Sequence, residues 1–182
     1  MVKKILPNLQ SWAMLGCSST ADWEIRLEES VFITWRDSLN EVCLFFYGAS
    51  KSNPGCAGGG GVLISANGTM MSSYAWGLGI ESNNTAEFCA LLQGLRIASS
   101  KGITTLSVFG DLRMLIQALI NKKRPSQLKL ALIYQKIQLL SQKFQSIKFY
   151  HVLRGLNSLA DNEANKGSLL SRGILIVDGL ES

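Results

Sequence analysis

Apolar residues along this chain change their spacing several times, and each change marks an element. Val42 to Phe46 is a continuous apolar run of strand composition that meets turn signals at Gly48 and at Asn53-Pro54-Gly55, predicting a first strand. Gly58 to Gly61 leads into Val62-Leu63-Ile64, and Asn67-Gly68 interrupts before Met70 to Trp76, the pattern of a hairpin with a tight primed turn. Three antiparallel strands are therefore expected. After Asn83-Asn84 the period lengthens: Phe88, Leu91, Leu92, Leu95 and Ala98 fall on one face of a helix ending near Gly102. Ile103 to Phe109 returns to strand character. Leu112 to Ile120 predicts a short helix, and Leu128 to Phe144 a longer one whose buried stripe is Ile133, Ile137, Leu140 and Phe144. Ile147 to Leu153 supplies a fifth strand, and a last helix should run from Asn157 to about Ser171.

The two ends are less regular. Residues 1–39 mix Trp12, Trp23 and Trp35 with Asp22, Glu24, Glu28 and Glu29 and read as a poorly specified leader, with a short helix near 21–30. Lys3 and Lys4 precede an uncharged run, but Pro7, Asn8, Gln10 and Ser11 interrupt the apolar core that a signal peptide needs. Beyond Gly173, the apolar Ile174 to Val177 fall in a tail, 172–182, with no assigned place. The domain itself is expected over 40–171. No internal repeat is visible, and no stretch is long and apolar enough to span a membrane.

Composition narrows the class. A chain of 182 residues, 47% hydrophobic and 17% charged, suits one globular domain plus an extension. Its net charge of +5 and pI near 9.1 favour polyanionic partners. The cysteines, at 17, 43, 56 and 89, form no C-x-x-C pair and no zinc-ligand spacing, which predicts free buried thiols in a reducing, intracellular setting. The glycine run 58–61 is no phosphate loop, because no Gly-Lys-Ser/Thr follows it.

Four short stretches carry the chemistry: Tyr47-Gly-Ala-Ser-Lys-Ser-Asn-Pro-Gly55, Asn83-Asn-Thr-Ala-Glu87, Phe109-Gly-Asp111, and Arg154-Gly-Leu-Asn-Ser-Leu-Ala-Asp161-Asn-Glu-Ala-Asn165. In this order and at these separations they resemble a type 1 ribonuclease H domain of the plant retroelement-like kind, from about Asn40 to about Ser171. The resemblance implies the α/β ribonuclease H-like fold, a five-stranded mixed sheet flanked by helices in the order β-β-β-α-β-α-α-β-α. It also implies hydrolysis of the RNA strand of RNA/DNA hybrids, with Mg2+ or Mn2+ as cofactor. A nucleic-acid partner, no membrane and a monomer complete the expectation.

Two-metal phosphodiester hydrolysis uses ions about 4 Å apart, one generating the attacking hydroxide and one stabilising the leaving oxygen. Hard cations want carboxylate oxygens. The family draws four acids from the first strand, the first helix, the end of the fourth strand and the last helix, and Glu87, Asp111 and Asp161 match three of them as catalytic and metal-binding residues. Tyr47 stands where the first aspartate is expected. A neutral phenol, with a reference pKa near 10, supplies no charge at neutral pH, so the resemblance implies a weakened or lost metal site. The rival reading is a non-catalytic module that binds hybrid or double-stranded RNA, or a protein-interaction fold.

Taken singly, each acid has a plain structural explanation. Glu87 follows Asn84 by three residues, as in a capping-box-like helix start; Asp111 sits where a helix cap is common; Asp161 resembles a solvated helix face. Their joint occurrence points instead to clustered carboxylates, an arrangement suited to cations. Ser50, Lys51, Asn53, Asn83 and Asn84 offer donors for sugars and phosphates, or ordinary turn chemistry. The resemblance places Arg154 near Asp161 as a further substrate contact. Lys122-Lys123-Arg124 reads as a solvated helix end or a phosphate contact. His151, the only histidine, falls among alternating apolar residues and reads as structural.

Overall fold

The computed structural model describes residues 23–179. Its elements are β1 (Glu24–Ile25), α1 (Glu29–Ser38), β2 (Val42–Lys51), β3 (Gly55–Ile64), β4 (Met70–Glu81), α2 (Asn83–Ser100), β5 (Thr105–Gly110), α3 (Arg113–Ile120), α4 (Leu128–Ser141), β6 (Ser146–Val152), α5 (Ser158–Ser168) and β7 (Leu175–Gly179). From β2 to α5 the order is the one expected. The strands form one sheet in the spatial order β1-β6-β5-β2-β3-β4-β7, antiparallel across β2–β3–β4 and parallel across β2–β5–β6.

The sheet has seven strands where five were expected, because both ends of the described chain join it. Glu24 and Ile25 pair in parallel with His151 and Val152, and β7 adds antiparallel to Ser72–Trp76 of β4. The short helix expected near 21–30 lies at α1 instead. From Trp23 onward the segment read as a leader is thus built into the domain; the signal-peptide question, Trp12 and Cys17 lie outside the described residues. A two-residue strand and an all-exposed edge strand leave little periodicity to read. The last helix ends at Ser168, short of the expected Ser171.

One side of the sheet packs against α2, α3 and α4, around Leu44, Phe46, Phe88, Leu91, Leu115, Tyr134 and Ile137. The other side packs against α1 and α5. There Phe45, Phe109 and Tyr150 stack in a row at ring separations of 4.7 and 5.2 Å, and Phe32 and Trp35 of α1 meet them edge-on. Such pairs contribute about 0.5–1.5 kcal/mol each beyond the area they bury.

The glycine run in β3 explains how two helices approach one strand from opposite sides. A Cβ on Gly58 or Gly60 would strike the backbone of α5 at Ala164 and Ser168 or at Glu163 and Ala164, whereas Gly59 turns the other way, against Ala90 of α2. Only a strand without side chains admits both.

The hairpin at Asn67-Gly68 is real, but its turn is not primed. Gly68 alone has positive φ, at 87°, and its N–H donates to Ser65 C=O at 2.9 Å, which is a type I turn followed by a left-handed glycine. Asn67 Oδ1 accepts from the Thr69 N–H at 3.1 Å, holding the loop without the second positive φ that a primed turn demands. Among the described cysteines all are free; Cys43 is buried, Cys89 half-buried, and Cys56, beside the β2–β3 turn, is exposed rather than buried.

Candidate active site

Parallel pairing of β2 with β5 matches Phe45 to Phe109, so Tyr47 and Asp111, two residues further along each strand, emerge side by side at one end of the sheet. Glu87 comes from the first turns of α2. That helix is capped by Ser82, whose hydroxyl accepts from the Thr85 N–H at 3.1 Å, so Glu87 is not part of a cap built on Asn84. Nor does Asp111 cap α3, whose N-cap is Leu112. Asp161 lies in the first turn of α5, half-buried, and Asn165 Nδ2 donates to it at 3.0 Å. The bland explanations for Glu87 and Asp111 therefore fail locally.

Close packing sets the Glu87 position. A Cβ on Gly48, next to Tyr47, would land on the backbone of Ala86 and Glu87, so α2 rests directly on β2 at that residue. Glu87 is buried, and no neighbouring donor reaches its Oε2 among the described residues. Burial first, then the charge of Asp111 and a hydrogen bond shared with it, hold the Glu87 carboxyl well above the usual carboxylate range, while the Gly48 N–H pulls the other way. Asp111 is also raised, by burial, against the lowering effects of Glu87 and Arg154.

The raised Glu87 carboxyl has a thermodynamic signature. A carboxyl whose folded pKa is raised adds stability below its unfolded value and loses it as pH rises toward the folded pKa. Above about pH 4.5, the ordinary glutamate value, the protein should therefore lose stability with rising pH through Glu87. Glu87→Gln is expected to melt higher than the natural chain at neutral and alkaline pH and to flatten that slope; denaturation followed across pH checks both.

Tyr47 points to the α5 side, where its phenol is half-buried among Asp111, Asp161 and Glu87. Burial pushes it up to about 12, Arg154 opposes, and the three acids add to the rise, so it stays a neutral phenol. Arg154 places its guanidinium 5.4 Å above the Tyr47 ring and 3.5 Å from Asp161. Asn157, almost wholly buried, donates from Nδ2 to the Phe46 carbonyl at 2.9 Å and ties the start of α5 to β2. Reading the sequence missed this residue; its place three positions after Arg154, before the helix, was the available signal. His151 lies beside the site, Nε2 3.1 Å from the Asp111 carbonyl oxygen, with Nδ1 buried and without a hydrogen-bond partner among the described residues.

The structure brings together Glu87, Asp111, Asp161, Tyr47 and Arg154. As arranged they do not fit a two-cation centre: among the described residues no group of three or more Asp, Glu, His or Cys side chains converges to hold a metal ion. Glu87 and Asp111 are a donor pair of the right chemistry, but Asp161 turns to Arg154 and the fourth place is a phenol. The polar turn residues largely satisfy one another. Asn83 Oδ1 accepts from the Ser50 N–H, the Asn83 N–H donates to Asn53 Oδ1, both at 2.9 Å, and Ser50 Oγ donates to the Glu81 carbonyl at 2.7 Å. Lys51 and Asn84 are exposed. Asn84 shares a groove with Asn121, Lys123, Arg124 and Gln127.

Comparison with known proteins agrees with this geometry. The chain is 34% identical over 122 residues to a bifunctional protein of Mycobacterium tuberculosis, a match covering 65% of this chain but only 33% of that protein. The crystal structure of ribonuclease H1 from Halobacterium salinarum superposes with a TM-score of 0.67 at 30% identity, covering 70% of this chain and 96% of that one. The N-terminal ribonuclease H domain of the mycobacterial protein superposes at 0.68 and 29% identity, covering 70% and 93%. The sequence profile described as reverse transcriptase-like matches residues 45–167, and this chain, with its ribonuclease H fold, belongs to that family.

Proposed function

We propose that this chain is a nucleic-acid-binding ribonuclease H-type domain that holds RNA/DNA hybrids and hydrolyses them poorly or not at all. One observation carries the second half: the neutral, half-buried phenol of Tyr47 occupies the place among Glu87, Asp111 and Asp161 where hydrolysis would use a carboxylate. Magnesium or manganese, if bound, would be held by Glu87 and Asp111 with Asp161, and weakly. Comparing hybrid cleavage by the natural chain and by Tyr47→Asp tests this reading.

Binding is supported by the net charge of +5 and by the groove that joins Asn84, on the first turn of α2, to Lys123 and Arg124. Each phosphate neutralised by a cationic side chain releases counterions and steepens the salt dependence of affinity by nearly one. Replacing Lys123 and Arg124 together by alanine is therefore expected to weaken hybrid binding and to lower the slope of log affinity against log salt by about two. Titrations at several salt concentrations measure it. A natural chain that binds no hybrid at any salt would favour the protein-interaction fold.

A further inference from the structure

We infer that the guanidinium of Arg154 takes the place of a divalent cation in this acid cluster. The inference rests on Tyr47 being a replaced carboxylate. Arg154 opens a single 3-10 turn, Arg154–Leu156, between β6 and α5. The turn is fixed at both ends: the Leu156 N–H donates to the Leu153 carbonyl and the Asn157 N–H to that of Arg154, both at 3.0 Å, while Asn157 Nδ2 pins the following residue to Phe46, the neighbour of Tyr47. The backbone thus delivers Arg154 to the site.

Its side chain then meets two partners at once. Nη2 lies 3.5 Å from Asp161 Oδ2, and the guanidinium plane carbon sits 5.4 Å over the Tyr47 ring. An aspartate at 47 could not offer an aromatic face, so the phenol and the arginine act as a pair: one removes a negative charge and the other supplies a positive one. Four carboxylates gathered at one place would repel one another, which bound cations would offset.

The test uses the full chain without nucleic acid: thermal unfolding with and without manganese at matched ionic strength, and calorimetric manganese titration, for the natural chain, Arg154→Ala and Arg154→Lys. The natural chain is expected to melt at the same temperature with or without manganese. Arg154→Ala should melt lower without manganese, recover when it is added, and bind manganese about tenfold tighter or better once the competing charge is gone. Arg154→Lys, which keeps the charge, should stay near the natural chain in both readouts. The inference is overturned if manganese stabilises the natural chain as much as Arg154→Ala, or if Arg154→Ala gains neither stability nor affinity from manganese. Because no hybrid is present, failure of the proposed function would show in binding and cleavage assays and leave this result readable.

Discussion

Tyr47→Asp is expected to lower the melting temperature in the absence of divalent cations and, at the same time, to create magnesium-dependent cleavage of an RNA/DNA hybrid at about 100-fold or more above the natural chain. Both effects have one cause. Position 47 lies beside Asp111 across the β2–β5 pair and on the same side of the sheet as Asp161. A carboxylate there adds a like charge beside Glu87 and Asp111, whose carboxyls burial already raises, and it strips Arg154 of the ring beneath it. The same carboxylate would complete a four-acid donor set. Altering even the groups that support a ligand changes metal affinity or activity by about 10- to 100-fold, so restoring a ligand should do at least as much. Thermal unfolding without metal and a gel assay of hybrid cleavage with magnesium or manganese read the two effects. An Asp variant that stays inert with both metals would mean that the site is wrongly assigned.

Gly48→Ala should cost about 1–3 kcal/mol or more of stability and abolish any activity gained by Tyr47→Asp. The added methyl meets peptide backbone at Ala86 and Glu87 rather than a movable side chain, so α2 must retreat from β2 at the turn that carries Glu87. Urea denaturation should show the lower midpoint. Gly155→Ala is the control: a Cβ there meets nothing within 4 Å, and the change should stay within about 0.5 kcal/mol. Equal loss in both variants would show that the tight approach at Gly48 is not what holds the helix.

The middle of this fold was legible in the sequence because its strands and helices differ in period. Phe88, Leu91, Leu95 and Ala98 could only line one side of a helix, and Val42 to Phe46 only a buried strand. The positions of Glu87, Asp111 and Asp161 were legible through motif spacing. What escaped was whatever depends on pairing partners remote in sequence. Glu24, buried and ion-paired with Arg26 at 2.9 Å and with Arg113, looks in the sequence like one more solvated acid. The apolar Leu175 to Val177 are exposed on both faces and owe their strand to β4 alone. Ser50, Asn53 and Asn83 had the donors of a substrate contact, yet their partners are each other, thirty or more residues away.

The row of rings beneath α1 also dictates how the gene for this protein can be cut. A fragment made to the limits of the family match, 45–167, would discard α1, β1 and β7 and leave Phe45, Phe109 and Tyr150 facing water where Phe32 and Trp35 had covered them. Exposed aromatic surface of that kind drives association between molecules. A fragment beginning at or before Trp23 retains the cover. Insolubility of the shorter piece would then reflect where it was trimmed, not a defect of the ribonuclease H fold.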